Sequence, residues 1–114
     1  MSNFANEWLQ AWNSHDLDRI MEHYSENIVF YSPFIKKVNN DVTGRITGKK
    51  ALREYFQRAL SVYTDLHFEL YHVLEGVDSQ VLYYKSVGNR LAAEMMALNE
   101  EGKILEVRAH YKEQ

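Results

Sequence analysis

The run Leu91 to Leu98, LAAEMMAL, holds a single ionisable side chain, that of Glu94. Read as a strand, it puts Leu91, Ala93, Met95 and Ala97 on one face and Ala92, Met96 and Leu98 on the other. Both faces are apolar, which marks a central strand covered on both sides. An ionised carboxylate buried there without a partner is very costly, so Glu94 must be paired, solvated in a cavity, or protonated. A carboxylic acid kept neutral in an apolar pocket donates a hydrogen bond and can serve as a general acid. The competing role is structural: an ion pair with Arg90 or Arg108, or contact with water at a sheet edge. A second place for chemistry is the strand end at Tyr31 and Ser32, two hydroxyls just before Pro33, the only proline.

Other chemistries find little support. There is no cysteine, hence no disulfide framework and no thiol chemistry. His67 and His72 lie five apart and point to opposite sides of a strand, so they do not form a metal pair. His72 falls on the apolar face of its strand and is expected in the core. His110 is expected at the surface or an interface, and His15 and His23 are expected to be exposed. No glycine-rich phosphate loop, nucleophile elbow or arrangement of His and Asp around Ser32 is present. Neither a metal nor a cofactor is expected.

These side chains need elements to hold them. Phe4, Ala5, Trp8, Leu9 and Trp12 form one apolar helical face, which ends at Asn13 and Ser14. Asp16 is placed to cap a second helix, with Leu17, Ile20, Met21 and Tyr24 as its buried stripe. Ile28 to Tyr31 form a β-prone run. Residues 34–46, with Asn39, Asn40, Asp41 and Gly44, read as a loop that could contain a short strand or hairpin. Thr47 and Gly48 open the longest helix, whose apolar face is Leu52, Tyr55, Phe56, Ala59, Leu60 and Tyr63. From Asp65 the period changes to two, and four strands follow as a meander with a hairpin turn at Gly88-Asn89. In the last strand Glu106, Arg108, His110 and Lys112 share the polar face. Val107, Ala109 and Tyr111 share the apolar one. Helices first and antiparallel strands afterwards predict an α+β fold, a curved sheet wrapped around the helices.

The chain has 114 residues, read as one domain over 1–114 with enough length for one core. Eight Tyr, five Phe and two Trp suit either a packed core or an aromatic-lined cavity. A net charge of −3 argues against nucleic acid as a partner. The basic residues Lys36, Lys37, Arg45, Lys49, Lys50 and Arg53 read as a solvated face. No apolar run approaches the roughly 18 residues of a membrane span. The start, MSNFANEW, has neither the basic segment nor the apolar run of a signal peptide. The expectation is a cytoplasmic protein without membrane or nucleic-acid partners.

The pattern WLQAWNSHDLDRIMEHYSENIVFYSP, followed after a loop by TGKKALREYFQRAL and a four-strand meander, resembles the SnoaL-like group of the nuclear transport factor 2-like superfamily. That superfamily includes ketosteroid isomerases, polyketide cyclases, limonene epoxide hydrolases and scytalone dehydratase. The resemblance implies a cone-shaped fold, three N-terminal helices packed in a curved, mostly antiparallel sheet around an apolar cavity. It also implies a homodimer through the outer sheet face.

Against the ketosteroid isomerases, the position of the proton-shuttling aspartate is Ser32, that of the first-helix tyrosine is Trp8, and that of the protonated aspartate is Glu94. The carboxylate of the epoxide hydrolases falls near Ala109, and the pocket histidines of scytalone dehydratase have no counterparts. Isomerisation of steroids by the aspartate mechanism is therefore not expected. Residues and resemblance together nominate Glu94 as acid or hydrogen-bond donor. They give Trp8, Trp12, Tyr55 and Phe56 as cavity residues from the helices, and Tyr31, Ser32 and Phe34 from around the proline. From the late strands come Tyr84, Met96, Val107, Ala109 and Tyr111. The expected ligand is a small, largely apolar or aromatic molecule, turned over by an isomerase, cyclase or lyase chemistry. The alternative is a non-catalytic binding protein or a dimeric interaction module.

Overall fold

The chain folds with its helices on one side of a six-stranded sheet, as a computed structural model describing residues 3–112 shows. The ends of the expected domain, 1–2 and 113–114, lie outside the described residues.

Helix α1 (Phe4–Ser14) buries Ala5, Trp8, Ala11 and Trp12, the face set by the i, i+3, i+4, i+7 spacing. It ends at His15 in the left-handed region, where the His15 N–H bonds to the Trp12 carbonyl. Helix α2 (Leu17–Met21) is capped as its sequence suggests: the Asp16 carboxylate accepts from the Arg19 N–H at 3.3 Å. Tyr24 is not part of that helix. It begins strand β1 (Tyr24–Tyr31), four residues before the β-prone run, and is buried against the helices.

The stretch expected as a loop contains a helix, α3 (Pro33–Val38), and a short strand, β2 (Arg45–Thr47). Ser32 caps α3 by accepting from the Phe34 N–H at 3.2 Å, and Pro33 occupies the first turn, where its missing N–H costs nothing. Lys36 and Lys37 then sit in the last turn, where positive charge suits the helix dipole. Three helices are expected before the late strands and four are described. The longest, α4 (Lys49–Val62), follows Gly48, whose φ of +91° is accessible to glycine.

Strands β3 (Glu69–Glu75), β4 (Ser79–Lys85), β5 (Leu91–Leu98) and β6 (Ile104–Tyr111) form the meander. The sheet order is β2-β1-β6-β5-β4-β3, antiparallel throughout except for the parallel β1–β6 pair. Gly88 and Asn89, at φ of 64° and 60°, make the turn between β4 and β5, closed by the Arg90 N–H on the Val87 carbonyl.

His72 departs from expectation. A register shift between Leu70 and His72 puts it opposite Tyr83, exposed on the outer face with the two rings stacked at 6.2 Å. His15 and His23, expected exposed, are half-buried: His15 contacts the Leu66 carbonyl through Nε2 at 2.7 Å, and His23 packs edge-on against Phe4. His110 is exposed, as expected.

Candidate functional site

Three rows of residues run across the inner face of β4, β5 and β6, set by the pairing register. Tyr84, Ala92 and Tyr111 lie side by side, then Leu82, Glu94 and Ala109, then Gln80, Met96 and Val107. Directly paired residues share a face, so two tyrosines flank Ala92 and two small or aliphatic side chains flank Glu94. The small Ala92 leaves the space into which the tyrosine hydroxyls and the Glu94 carboxyl converge. The Tyr84 hydroxyl donates to Glu94 Oε1 at 2.6 Å.

The helices close the other side. Trp8, Trp12 and Phe56 pack with Phe68 and Tyr84 in edge-to-face and stacked contacts between 4.7 and 5.8 Å, while Phe30 and Tyr55 extend the same aromatic wall. The enclosed space is about 60 Å³. Its deep residues Trp8, Phe56 and Tyr84 are buried, whereas Phe34, Val38, Ala59, Tyr63 and Tyr111 are part-exposed and mark the mouth. Phe34 lies across it, 4.6 Å from the Tyr111 ring and 6.3 Å from the Tyr63 ring.

Glu94 is 3% exposed and is the one carboxyl lining this cavity among the described residues, alongside tyrosine phenols. Burial pushes its carboxyl up to about 7, against the opposing effect of the Tyr84 hydrogen bond, which favours the ionised form. The phenols of Tyr55, Tyr84 and Tyr111 are pushed above their ordinary value, first by burial and then by the Glu94 charge among other groups. They stay protonated and available as donors. Ser32 is close enough to the Tyr55 and Tyr111 phenols to oppose their rise by hydrogen bonding, linking the strand end to the tyrosines. Below them the Trp8 indole donates to the Tyr24 hydroxyl at 3.1 Å. The Trp12 indole N–H, buried in the cavity wall, has no partner of good geometry.

Glu94 is therefore not paired with an arginine. Arg108 lies on the outer face, bonded to Glu106 at 2.7 Å, and Arg90 forms no ion pair among the described residues. With its pKa raised to about 7, this carboxyl can stand near neutral pH as neutral donor or as ionised acceptor, among hydroxyls and aromatic rings. Such a group can protonate or hold a developing oxyanion, or accept a proton when ionised.

Of the nominated residues, Trp8, Trp12, Ser32, Phe34, Tyr55, Phe56, Tyr84, Glu94 and Tyr111 come together around the cavity. Tyr31 does not. It follows Phe30 in the strand and so points outward, where the Arg108 guanidinium lies 4.1 Å over its ring. Met96 and Val107 are fully buried one row beyond Glu94 and pack in the core. Ala109 faces inward beside Glu94 but lines a shallow depression with Tyr31 and Lys36. The lining residues not nominated include Phe30, Leu66, Phe68, Ser86 and Val87. Phe30 is recoverable from alternation with Ile28, and Leu66 and Phe68 from the apolar period that begins there. Ser86 and Val87 carry no such signal, because a turn conformation places them.

The SnoaL-like domain family model matches residues 5–109, and the chain belongs to that family. Among solved structures, it is similar to a SnoaL-like protein of unknown function from Burkholderia thailandensis, at 37% identity and a TM-score of 0.94, covering 98% of this chain and 93% of that one. The fold also matches SalBIII, an epoxide hydrolase/cyclase-like enzyme with a role in pyran ring formation in the polyether salinomycin. That match has 23% identity and a TM-score of 0.77, over 97% of this chain and 89% of the other. A further fold match is an NTF2-like protein of unknown function from Burkholderia xenovorans, at 16% identity and a TM-score of 0.79, over 99% and 83%. The chain matches no curated protein. No helix among the described residues is long and apolar enough to cross a membrane.

Proposed function

We propose that this protein binds a small, largely apolar or aromatic molecule in the aromatic cavity and acts on it with Glu94 as acid or hydrogen-bond donor. The reaction type is isomerase, cyclase or lyase, without a cofactor. The observation that carries this reading is the isolation of Glu94: an acid with a pKa of about 7, held in an apolar cavity by one tyrosine and no cation. Structural carboxylates are seldom left so, because an ion pair or an apolar residue is the more stable choice. Tyr111 supplies a further donor to a carbonyl or developing enolate placed beside the carboxyl, while the single O–H of Tyr84 is held by Glu94.

A second reading has its own support. Ser32, at the position of the isomerase base, is a hydroxyl whose oxygen caps α3, and no second carboxylate lines the cavity among the described residues. That favours a protein that binds without turnover. Glu94→Gln separates the two. For an enzyme, turnover falls by at least about a hundredfold, the usual scale of a lost general acid, while ligand binding persists. Trp8 and Trp12 report binding: a panel of sterols, terpenes and aromatic polyketides that leaves their fluorescence unchanged counts against any ligand of this class.

The reading includes a second copy of the chain covering the outer sheet face. Leu91, Ala93, Met95 and Ala97 of β5 and Val81 and Tyr83 of β4 are only half-buried there, and Leu74 of β3 is 59% exposed. An interaction module of the same shape would use this face alone and leave the cavity idle. The cytoplasm is the compartment proposed, on the absence of cysteine.

A further inference from the structure

Arg90 stands at the mouth of the cavity in an unusual state. Its extended backbone continues β5, and the Ser86 N–H bonds to its carbonyl, so Arg90 is opposite cavity-lining Ser86. By alternation it shares the inner face with Ala92 and Glu94. Its guanidinium carbon lies 5.4 Å from the ring centroid of Phe34, the residue across the mouth. Its Nε–H is buried and has no hydrogen-bond partner. Among the described residues its side chain makes no ion pair and no hydrogen bond; Arg53, Arg58 and Arg108 bond through theirs, while Arg19 and Arg45, also without such a bond, are exposed and Arg90 is half-buried. Lys37 approaches the same Phe34 ring at 5.7 Å, so two cations meet at this aromatic side chain. Glu7, Glu54, Asp65 and Glu69 are next in sequence to lining residues; all are exposed, and among the described residues none forms an ion pair with either cation.

A guanidinium carries five donors in a fixed fork suited to a carboxylate, and a buried orphan donor has a cost that a ligand anion removes. We propose that the mouth is an anion subsite, where Arg90 takes the carboxylate of an amphiphilic ligand whose apolar body fills the aromatic cavity. The inference rests on the proposed cavity and specifies its ligand. Four residues separate Arg90 from Glu94 along the strand, roughly 13 Å at a strand's rise. The ligand is accordingly a carbonyl compound at its inner end and an acid at its outer end, with about eight atoms between. The enclosed 60 Å³ does not hold such a molecule while Phe34 covers the mouth. On binding, the Phe34 ring leaves Arg90 and the carboxylate takes its place.

The probes are 9-oxodecanoate and its methyl ester, titrated against the full chain at about pH 6, with the fluorescence of Trp8 and Trp12 as readout and calorimetry as a check. The acid is expected to bind at least about tenfold more tightly than the ester, the scale of one charged hydrogen bond. Arg90→Met and Arg90→Gln should erase that preference, so that acid and ester bind with the same affinity, with Arg90→Lys in between. A wild-type protein that binds acid and ester equally overturns the anion subsite while leaving the cavity reading intact. A preference that survives in both neutral variants also overturns it, because the charge then comes from elsewhere. If neither probe binds the wild type at millimolar concentration, the cavity reading and the subsite fall together.

Discussion

Glu94 makes the pH dependence of this protein calculable in sign. Its carboxyl titrates near 4.5 in the unfolded chain and at about 7 when folded, because burial penalises the charge. Below the first value both states hold the proton and the group has no effect on stability. Between the two the unfolded chain ionises first, so stability falls as pH rises, and it levels off above the second. The loss over that window is roughly 3 kcal/mol, at about 1.4 kcal/mol per pH unit of displacement. Glu94→Gln is therefore expected to remove most of the decline. Urea melts at a series of pH values from 4 to 8 check it, and a wild-type curve that does not fall relative to the variant's contradicts the buried, unpaired carboxyl. Glu94 is legible in the sequence alone because one charge stands in an apolar strand. Its partner is not, since Arg90, Arg108 and water are all within reach of a strand reading. The sequence offers Tyr84, with Tyr31 and Ser32, as a hydroxyl beside Glu94, but choosing among them depends on the register of β4 against β5, which sets the diagonal approach of Tyr84.

At the scale of elements, α3 decides how the cavity is shut, and its stability hangs on one hydroxyl. Ser32→Ala removes the oxygen that accepts from the Phe34 N–H and should cost about 1 kcal/mol. Ser32→Asp keeps an acceptor there and should cost less from the cap, which separates capping from general loss of packing. Thermal melts check both, with a fall of about 4 °C expected for the alanine variant. This helix escapes a sequence reading because Asn39, Asn40, Asp41 and Gly44 pull the segment toward loop, while Ser32-Pro33, a good helix start, also reads as a strand end. Adjacent Tyr31 and Ser32 cannot both face the cavity from an extended backbone, and it is Ser32, in step with Phe30 and Ile28, that does. His72 fails for a different reason: one bulged residue in β3 inverts the face of everything after it, and side-chain types do not announce a bulge. The spacing of α1 and the Asp16 cap, by contrast, are local chemistry, and the folded chain keeps both.

For the molecule as a whole, the outer face of β3, β4 and β5 offers the test of assembly. Met95 lies on that face opposite Arg108 of β6, so Met95→Glu gains a nearby cation in the monomer while placing a buried charge at any self-contact. Sedimentation is expected to give a dimer for the wild type at micromolar concentration and a folded monomer for the variant, whose lower melting temperature no longer depends on concentration. A wild-type monomer under those conditions sinks the assembly.

The parallel pairing of β1 with β6 has another consequence, for the order in which the chain becomes whole. Of the six strands β6 is synthesised last, yet it sits between β1 and β5, with Phe30 against Val107 and Glu94 against Ala109. Until residues 104–111 have left the ribosome, the early helices with β1 and the hairpins of β3 to β5 are two half-sheets with raw edges and apolar faces in water. Pairings of such long sequence separation form late and slowly. The nascent protein thus depends on β6 to become a single body, and a chain released before that strand is expected to be digested by protease as readily as an unfolded one.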